Sequence, residues 1–296
     1  MLRTNCWGSR VLATCLVLAG VSAATTEHSF AETTLERIVS SGKITIGIHN
    51  RAPWGFRGPD GQLTGFHPDM IRATLGPLGV KEVDFVIADL GALIPSLLAE
   101  RVDAVASGFS ITPARCEQVA FSEPDLMLGD ALLVKAGNPQ NIHSYADIVA
   151  NPKLSIGGSR GSSNLANAMA AGIPEAQVQQ FQNTESSVSA VLAGRVDAVT
   201  FSSATVTSVL KDPKVAGLER ATPFQGYVKP NGQPAVAFAG IAFRKTDSDL
   251  VEAYNKRLAE LKADGTLLAI VQQYGFTADE LAPASVKTEA LCAGGQ

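Results

Sequence analysis

The nine residues Leu97 to Val105, LLAERVDAV, recur as VLAGRVDAV at Val191 to Val199. In each copy an apolar run suited to the end of a helix meets a charged turn and then an Asp-Ala-Val strand start. A chain that writes one helix-turn-strand unit in each half is expected to fold as two related α/β units. Two copies are too few to stack as a solenoid. Two α/β units facing each other enclose a cleft at the carboxyl ends of their strands, where ligands bind.

The patterns around the repeat agree. A short helix at Leu35 to Ser40 leads through Gly42 into a strand at Ile44 to Ile48, and Gly58-Pro59-Asp60-Gly61 is a hairpin turn. A helix from Pro68 to Leu78 and a strand at Val83 to Ile87 precede the first copy. Ala131 to Val134 reads as a strand leaving the first unit. The second unit would hold helices at Tyr145 to Val149 and Ser163 to Ala171, with strands at Leu154 to Gly157 and Val178 to Phe181. Ala235 to Phe243 reads as a returning strand. The C-terminal helix places Leu250, Val251, Tyr254, Leu258 and Leu261 on one face, ends at Gly265 and gives way to a second helix through Tyr274. These helices need a sheet to cover, and the first unit supplies it. The chain then crosses between units twice, near 130–135 and 236–241, which makes a hinge. The expected fold is a two-lobed α/β protein with a largely parallel sheet in each lobe. Lobe 1 spans 32–131 and 239–296, and lobe 2 spans 132–238.

The N-terminus carries Arg3 and Arg10, then the apolar run Val11 to Val21, then small residues, as a secretory signal peptide does. Residues 1–31 are assigned to it, with cleavage after Ala23 or Ala31. Removing Arg3, Arg10 and Glu27 takes the formal net charge from -4 to -5. The scattered basic residues argue against a nucleic-acid partner. Export also leaves Cys116 and Cys292 as the remaining cysteines in an oxidising compartment, so one disulfide joining them is expected.

The most specific local pattern follows the first repeat: Ser107-Gly108-Phe109-Ser110-Ile111-Thr112-Pro113-Ala114-Arg115. Thr112 and Pro113 read as a helix N-cap and first helical position. Arg115 then sits in the first turn, where a cation opposes the helix dipole and calls for an anion. Ser110, Thr112 and Arg115 are candidates to converge on a carboxylate. Gly161-Ser162-Ser163 opens a helix in the other half, whose free N–H groups make a second anion site.

The run IPSLLAERVDAVASGFSITPAR with AFSEP after it resembles the periplasmic solute-binding proteins for polar amino acids, the extracytoplasmic receptors of ABC importers. ITIGIHNRAPWGF, GQLTGFHPDM, the Gly-Ser-Ser at 161–163, GRVDAV and DGTLLAIVQQYGF extend the resemblance over almost the whole exported chain. It implies a type II binding-protein fold and a small-molecule ligand between two closing lobes. It also implies an inner-membrane permease as partner, a monomer, and no cofactor. In that family the arginine matching Arg115 grips the ligand carboxylate, Ser110 and Thr112 match assisting residues, and Trp54 matches an aromatic wall; Gly108, in the same run as Ser110 and Thr112, is a further candidate for the ligand site.

Two departures bear on the ligand. Family members that bind ordinary α-amino acids place an aspartate where this chain has Ser202. The Ala-Arg-Cys at 114–116, GNP at 137–139, SYADI at 144–148 and the late Cys292 are most similar to the ectoine and hydroxyectoine branch. There Leu90 and Ser110 replace two walls of an aromatic cage, and Arg51 replaces a glutamate. A carboxylate-bearing solute with a further acidic or polar group near Arg51 is expected.

Other chemistry is weighed on the same sequence. Gly157-Gly158-Ser159-Arg160-Gly161 fits a nucleophile elbow, but His28, His49, His67 and His143 all precede Ser159, against the order a hydrolase triad needs. The histidines lack metal-ligand spacing, so no metal is expected. A dehydratase on this scaffold would use Glu123 or Asp125; a soluble sensory module is the other alternative. Neither is preferred to a non-enzymatic receptor.

Overall fold

The computed structural model describes residues 32–294, so the proposed signal peptide and its cleavage position lie outside the described residues. The chain opens with α1, Thr34–Ser41, where Thr33 and Glu36 form a reciprocal capping box and Gly42 closes the helix at φ 68°. β1, Lys43–Ile48, follows. The Gly58–Gly61 turn joins β2, Phe56–Arg57, to β3, Leu63–Thr64, as an antiparallel pair. Then come α2, Phe66–Leu75, and β4, Glu82–Ile87. The first repeat supplies the end of α3, Leu93–Leu98, and the start of β5, Ala104–Ser110. α4, Pro113–Cys116, and β6, Ala120–Phe121, lead to the long β7, Leu126–Lys135.

The second half repeats the alternation with α5, Tyr145–Ala150; β8, Ile156–Ser159; α6, Ser163–Ala170; and β9, Val178–Phe181. The second repeat closes α7, Thr184–Leu192, and opens β10, Ala198–Ser202. α8, Ser203–Val209, and β11, Leu218–Arg220, precede the returning β12, Val236–Phe243. α9, Ser248–Ala263, α10, Thr266–Gln273, and α11, Thr288–Cys292, complete the described chain.

The strands lie in the order β4-β1-β5-β12-β7-β10-β8-β9. β1 is parallel to β4 and β5, and β8 is parallel to β9 and β10. Successive strand residues face opposite sides, so each sheet needs cover on two faces. On the first, Ala104 and Ala106 of β5 join Ile44, Ile46 and Ile48 beneath α2, α9 and α10, while Val105 and Phe109 pack with α3 and Phe121. On the second, Leu133, Val199 and Phe201 pack with α7 and α8, while Leu132, Val134 and Ile156 pack with α5 and α6.

The two repeats are used alike. Asp103 donates its N–H to the Thr45 carbonyl and accepts the Thr45 N–H on its carboxylate, at 2.7 and 2.9 Å. Asp197 does the same to Ser155, at 3.0 and 2.8 Å. In both lobes the aspartate therefore fixes the register between its own strand and the neighbouring parallel one. Glu100 and Gly194 occupy the same place in the two turns, with φ of 57° and 69°.

β7 and β12 carry the chain between the sheets. They pair with each other over Leu126–Gly129 and Val236–Ala239, after which β7 pairs β10 and β12 pairs β5. The molecule is thus a two-lobed α/β protein of type II binding-protein architecture. Leu250, Tyr254, Leu258, Leu261, Leu267 and Val271 pack the C-terminal helices on the first sheet. Beyond them α11 is tied to α4 by the Cys116–Cys292 disulfide.

Candidate functional site

β5 ends in a bent segment that sets the first wall. Gly108 has φ 63°, and a Cβ built on it would meet the Trp54 ring at 2.2 Å. Only glycine lets the indole lie against this backbone. Its N–H donates to Nδ1 of His67 at 2.9 Å, and Nε2 of His67 lies 3.2 Å from the Asp125 carboxylate, both side chains being fully buried. Trp54 is buried among Phe66, His67 and Phe276.

Arg51, Trp54, Leu90, Gly108, Phe109, Ser110 and Arg115 form one side of a cavity, with Leu128, Ala237 and Ala239 from the paired crossing strands at its back. Ser162, Ser163, Asn164 and Ser202 form the other side. Eight of the nine residues singled out in the sequence therefore line one space. Thr112 does not reach it. It N-caps α4 through its backbone, with no side-chain cap hydrogen bond, and lines an adjoining cavity shared with Ser110 and Ser163.

Three contacts join the two halves at and beside the cavity. Ser110 Oγ lies 2.9 Å from Ser163 Oγ. The Trp54 indole N–H donates to Oγ1 of Thr205 at 3.3 Å. The Arg115 guanidinium donates to the Ser110 carbonyl at 2.7 Å and to the Gly161 carbonyl at 2.9 Å, and rests 3.9 Å above the Phe109 ring. The enclosed space is small, about 20 Å³, so anything larger than a water or two enters by parting the walls.

Arg51 donates to the carbonyls of Ser107 and Gly108 at 3.3 and 3.5 Å, while its buried Nε has no partner. Burial lowers Arg51 to about 10, and burial together with the Arg51 charge lowers Arg115 to about 10, so both remain cationic at neutral pH. His49 is held down to about 4 by burial and by Arg51, and is neutral. On the second wall Ser162 N-caps α6, accepting from the Leu165 N–H at 3.2 Å. The Ser163 and Asn164 N–H groups, in the first turn, have no intrahelical acceptor. Ser202 N-caps α8 through the Thr205 N–H.

Sequence reasoning passed over Phe109, Leu128, Asn164, Ala237 and Ala239. Only Asn164 carried a signal, being next to Ser162 and Ser163 at the start of a helix. Glu123 and Asp125 lie outside the cavity wall, Asp125 beside His67 and Glu123 near Lys287. Among the described residues no group of three His, Cys, Asp or Glu side chains could hold a metal ion.

Two lobes joined by paired strands, with basic and hydroxyl side chains meeting between them, define a protein that holds a small solute in a cleft. The chain belongs to the bacterial extracellular solute-binding proteins, family 3, whose pattern matches residues 44–278. It is 34% identical over 262 residues to a probable amino-acid ABC transporter periplasmic-binding protein, y4tE, of Sinorhizobium fredii, covering 88% of this chain and 86% of that one. Its fold is similar to the crystal structure of EhuB in complex with hydroxyectoine, with a TM-score of 0.78, 34% identity, and coverage of 88% of this chain and 98% of the other. It is also similar to AncCDT-1, an ancestral amino acid-binding protein and a precursor of cyclohexadienyl dehydratase, with a TM-score of 0.71, 28% identity, and coverage of 82% and 99%.

Proposed function

We propose that this protein is the periplasmic substrate-binding component of an ABC importer, taking a small carboxylate-bearing solute between lobe 1 (32–131 and 239–296) and lobe 2 (132–238). The observation that carries the reading is Arg115, whose guanidinium already spans the cleft from the Ser110 carbonyl to the Gly161 carbonyl. A ligand carboxylate placed there replaces neutral carbonyl acceptors with a charged one that the planar guanidinium can bind through two parallel N–H groups. Trp54 supplies the apolar wall, and the Ser163 and Asn164 N–H groups meet the ligand from the second lobe. Ser110, Ser162 and Ser202 complete its polar surroundings. Rotation about the paired β7 and β12 strands brings the walls together, and the permease reads the ligand-bound arrangement.

The signal-like residues 1–31 and the periplasmic names of the relatives support export; we take the exported chain to act as a monomer. Binding without turnover is the reading we adopt; the two acids considered for catalysis, Glu123 and Asp125, are not among the residues that line the cavity.

Isothermal calorimetry on the exported chain, across amino acids, ectoines, betaines and dicarboxylates, tests the assignment. A ligand should bind and raise the melting temperature, and Arg115→Ala should weaken it at least 100-fold while the fold persists. Unchanged affinity in that variant would remove Arg115 from the site.

A further inference from the structure

The cavity brings two guanidinium groups, Arg51 and Arg115, to one ligand space, and among the described residues neither makes an ion pair. No aspartate or glutamate lines the wall. Asp130, on the crossing strand β7, stands opposite Ser202 in the β7–β10 register and is not among the wall residues. It is already occupied: Asn164, Asn167 and Tyr145 all donate to it. The carbonyls of Ser107, Gly108, Ser110 and Gly161 accept from the two arginines. Ser202 Oγ accepts from the Thr205 N–H, and Ser110 and Ser163 pair with each other.

An ammonium group brings one charge and three N–H donors, and this wall offers it no carboxylate. It would also stand close to two fixed positive charges, which repel it. A second anionic group meets the opposite situation, because the Arg51 Nε is buried and unpartnered. Buried cations seek compensation, and a ligand bearing two negative charges supplies one for each arginine.

We propose that the preferred ligand is a small oxyanion solute with two negative charges and no ammonium group. This rests on the binding role assigned above. A short dicarboxylate places one charge on each guanidinium, whereas a tetrahedral oxyanion concentrates both in one group.

The test is a direct comparison on the unmodified exported chain at constant ionic strength. Oxalate, malonate and succinate form one arm, sulfate and hydrogen phosphate a second, and aspartate, glutamate, arginine, histidine and hydroxyectoine a third. A member of the first two arms should bind at least tenfold more tightly than every member of the third. Which of the first two binds more tightly identifies the source of the charge. Arg51→Gln should weaken the best dianion at least tenfold, and Arg51→Lys should recover part of the loss, with circular dichroism confirming that both fold. If a member of the third arm binds best and Arg115→Ala abolishes it, the dianion proposal fails while the binding role stands. If no arm binds, both fail.

Discussion

Gly108 and Trp54 are in such close contact that one methyl group on the glycine would sit 2.2 Å from Cδ2 of the indole. The glycine also lies at φ 63°, where an L side chain strains the backbone. Gly108→Ala should therefore destabilise the protein by roughly 2–4 kcal/mol, from overpacking added to backbone strain. Trp54 and Trp7 are the two tryptophans of the chain. With residues 1–31 removed, Trp54 is the sole indole, and a shift of its emission would report the displacement alongside a lower urea midpoint. An unchanged midpoint and spectrum would show that the ring does not lie against this backbone.

The two repeat turns allow a reciprocal experiment. Glu100 is exposed and holds a left-handed conformation that Gly194 holds at the matching place. Glu100→Gly should stabilise the fold by roughly 0.5–1 kcal/mol, and Gly194→Ala should destabilise it by about 1 kcal/mol. Chemical denaturation of the pair measures both signs. Loss of stability in Glu100→Gly would mean that the glutamate side chain contributes more than its backbone strain costs.

Asp130 gives stability a pH dependence. Burial pushes its carboxyl up from 3.8 to about 6, against the opposing pull of Asn164, Tyr145 and Asn167. The folded protein thus holds this proton more tightly than the unfolded chain does. The resulting stabilisation is complete below about pH 4 and is lost as pH rises through about 6. On the order of 3 kcal/mol is involved. Subtracting the urea-unfolding profile of Asp130→Asn from that of the parent should leave a downward slope between those pH values. A flat difference would place the carboxyl near its ordinary value.

Reduction of Cys116–Cys292 should lower the melting temperature and free the C-terminal segment. The bond closes a loop with a sequence separation of 176, for which chain entropy allows up to about 5 kcal/mol. Leu291 would also lose its anchorage in the core it shares with Phe121 and Phe238. Limited proteolysis with and without reductant, read by mass, should show cleavage after residue 275 only in the reduced protein. Equal resistance would mean that packing holds α11 without the bond.

Local pattern was legible where one element decides its own form. Val178–Phe181 lies between turn signals and became β9 with the same bounds. The Leu154–Gly157 expectation shifted by two residues, because the Leu154 N–H closes a turn on Asn151 and Ser155 is taken by Asp197. α8 was missed: SATVTSV is rich in β-branched residues, and its helix depends on the Ser202 cap and on burial of Val206. β11 was missed because its pairing with β7 lies far away in sequence. The same holds at the cavity. Arg115, Trp54 and the serines announce themselves by residue type, whereas Leu128, Ala237 and Ala239 reach the wall only through the register of two crossing strands.

The three contacts at and beside the cavity give the ligand competitors inside the protein itself. Ser110 with Ser163, Trp54 with Thr205, and Arg115 with Gly161 are interactions that a solute entering by the binding mode proposed above would exchange for its own. Affinity is then a difference between two sets of bonds, so removing a self-contact that the ligand does not reuse tightens binding. The lobes' attraction for each other sets the threshold above which a solute is held at all.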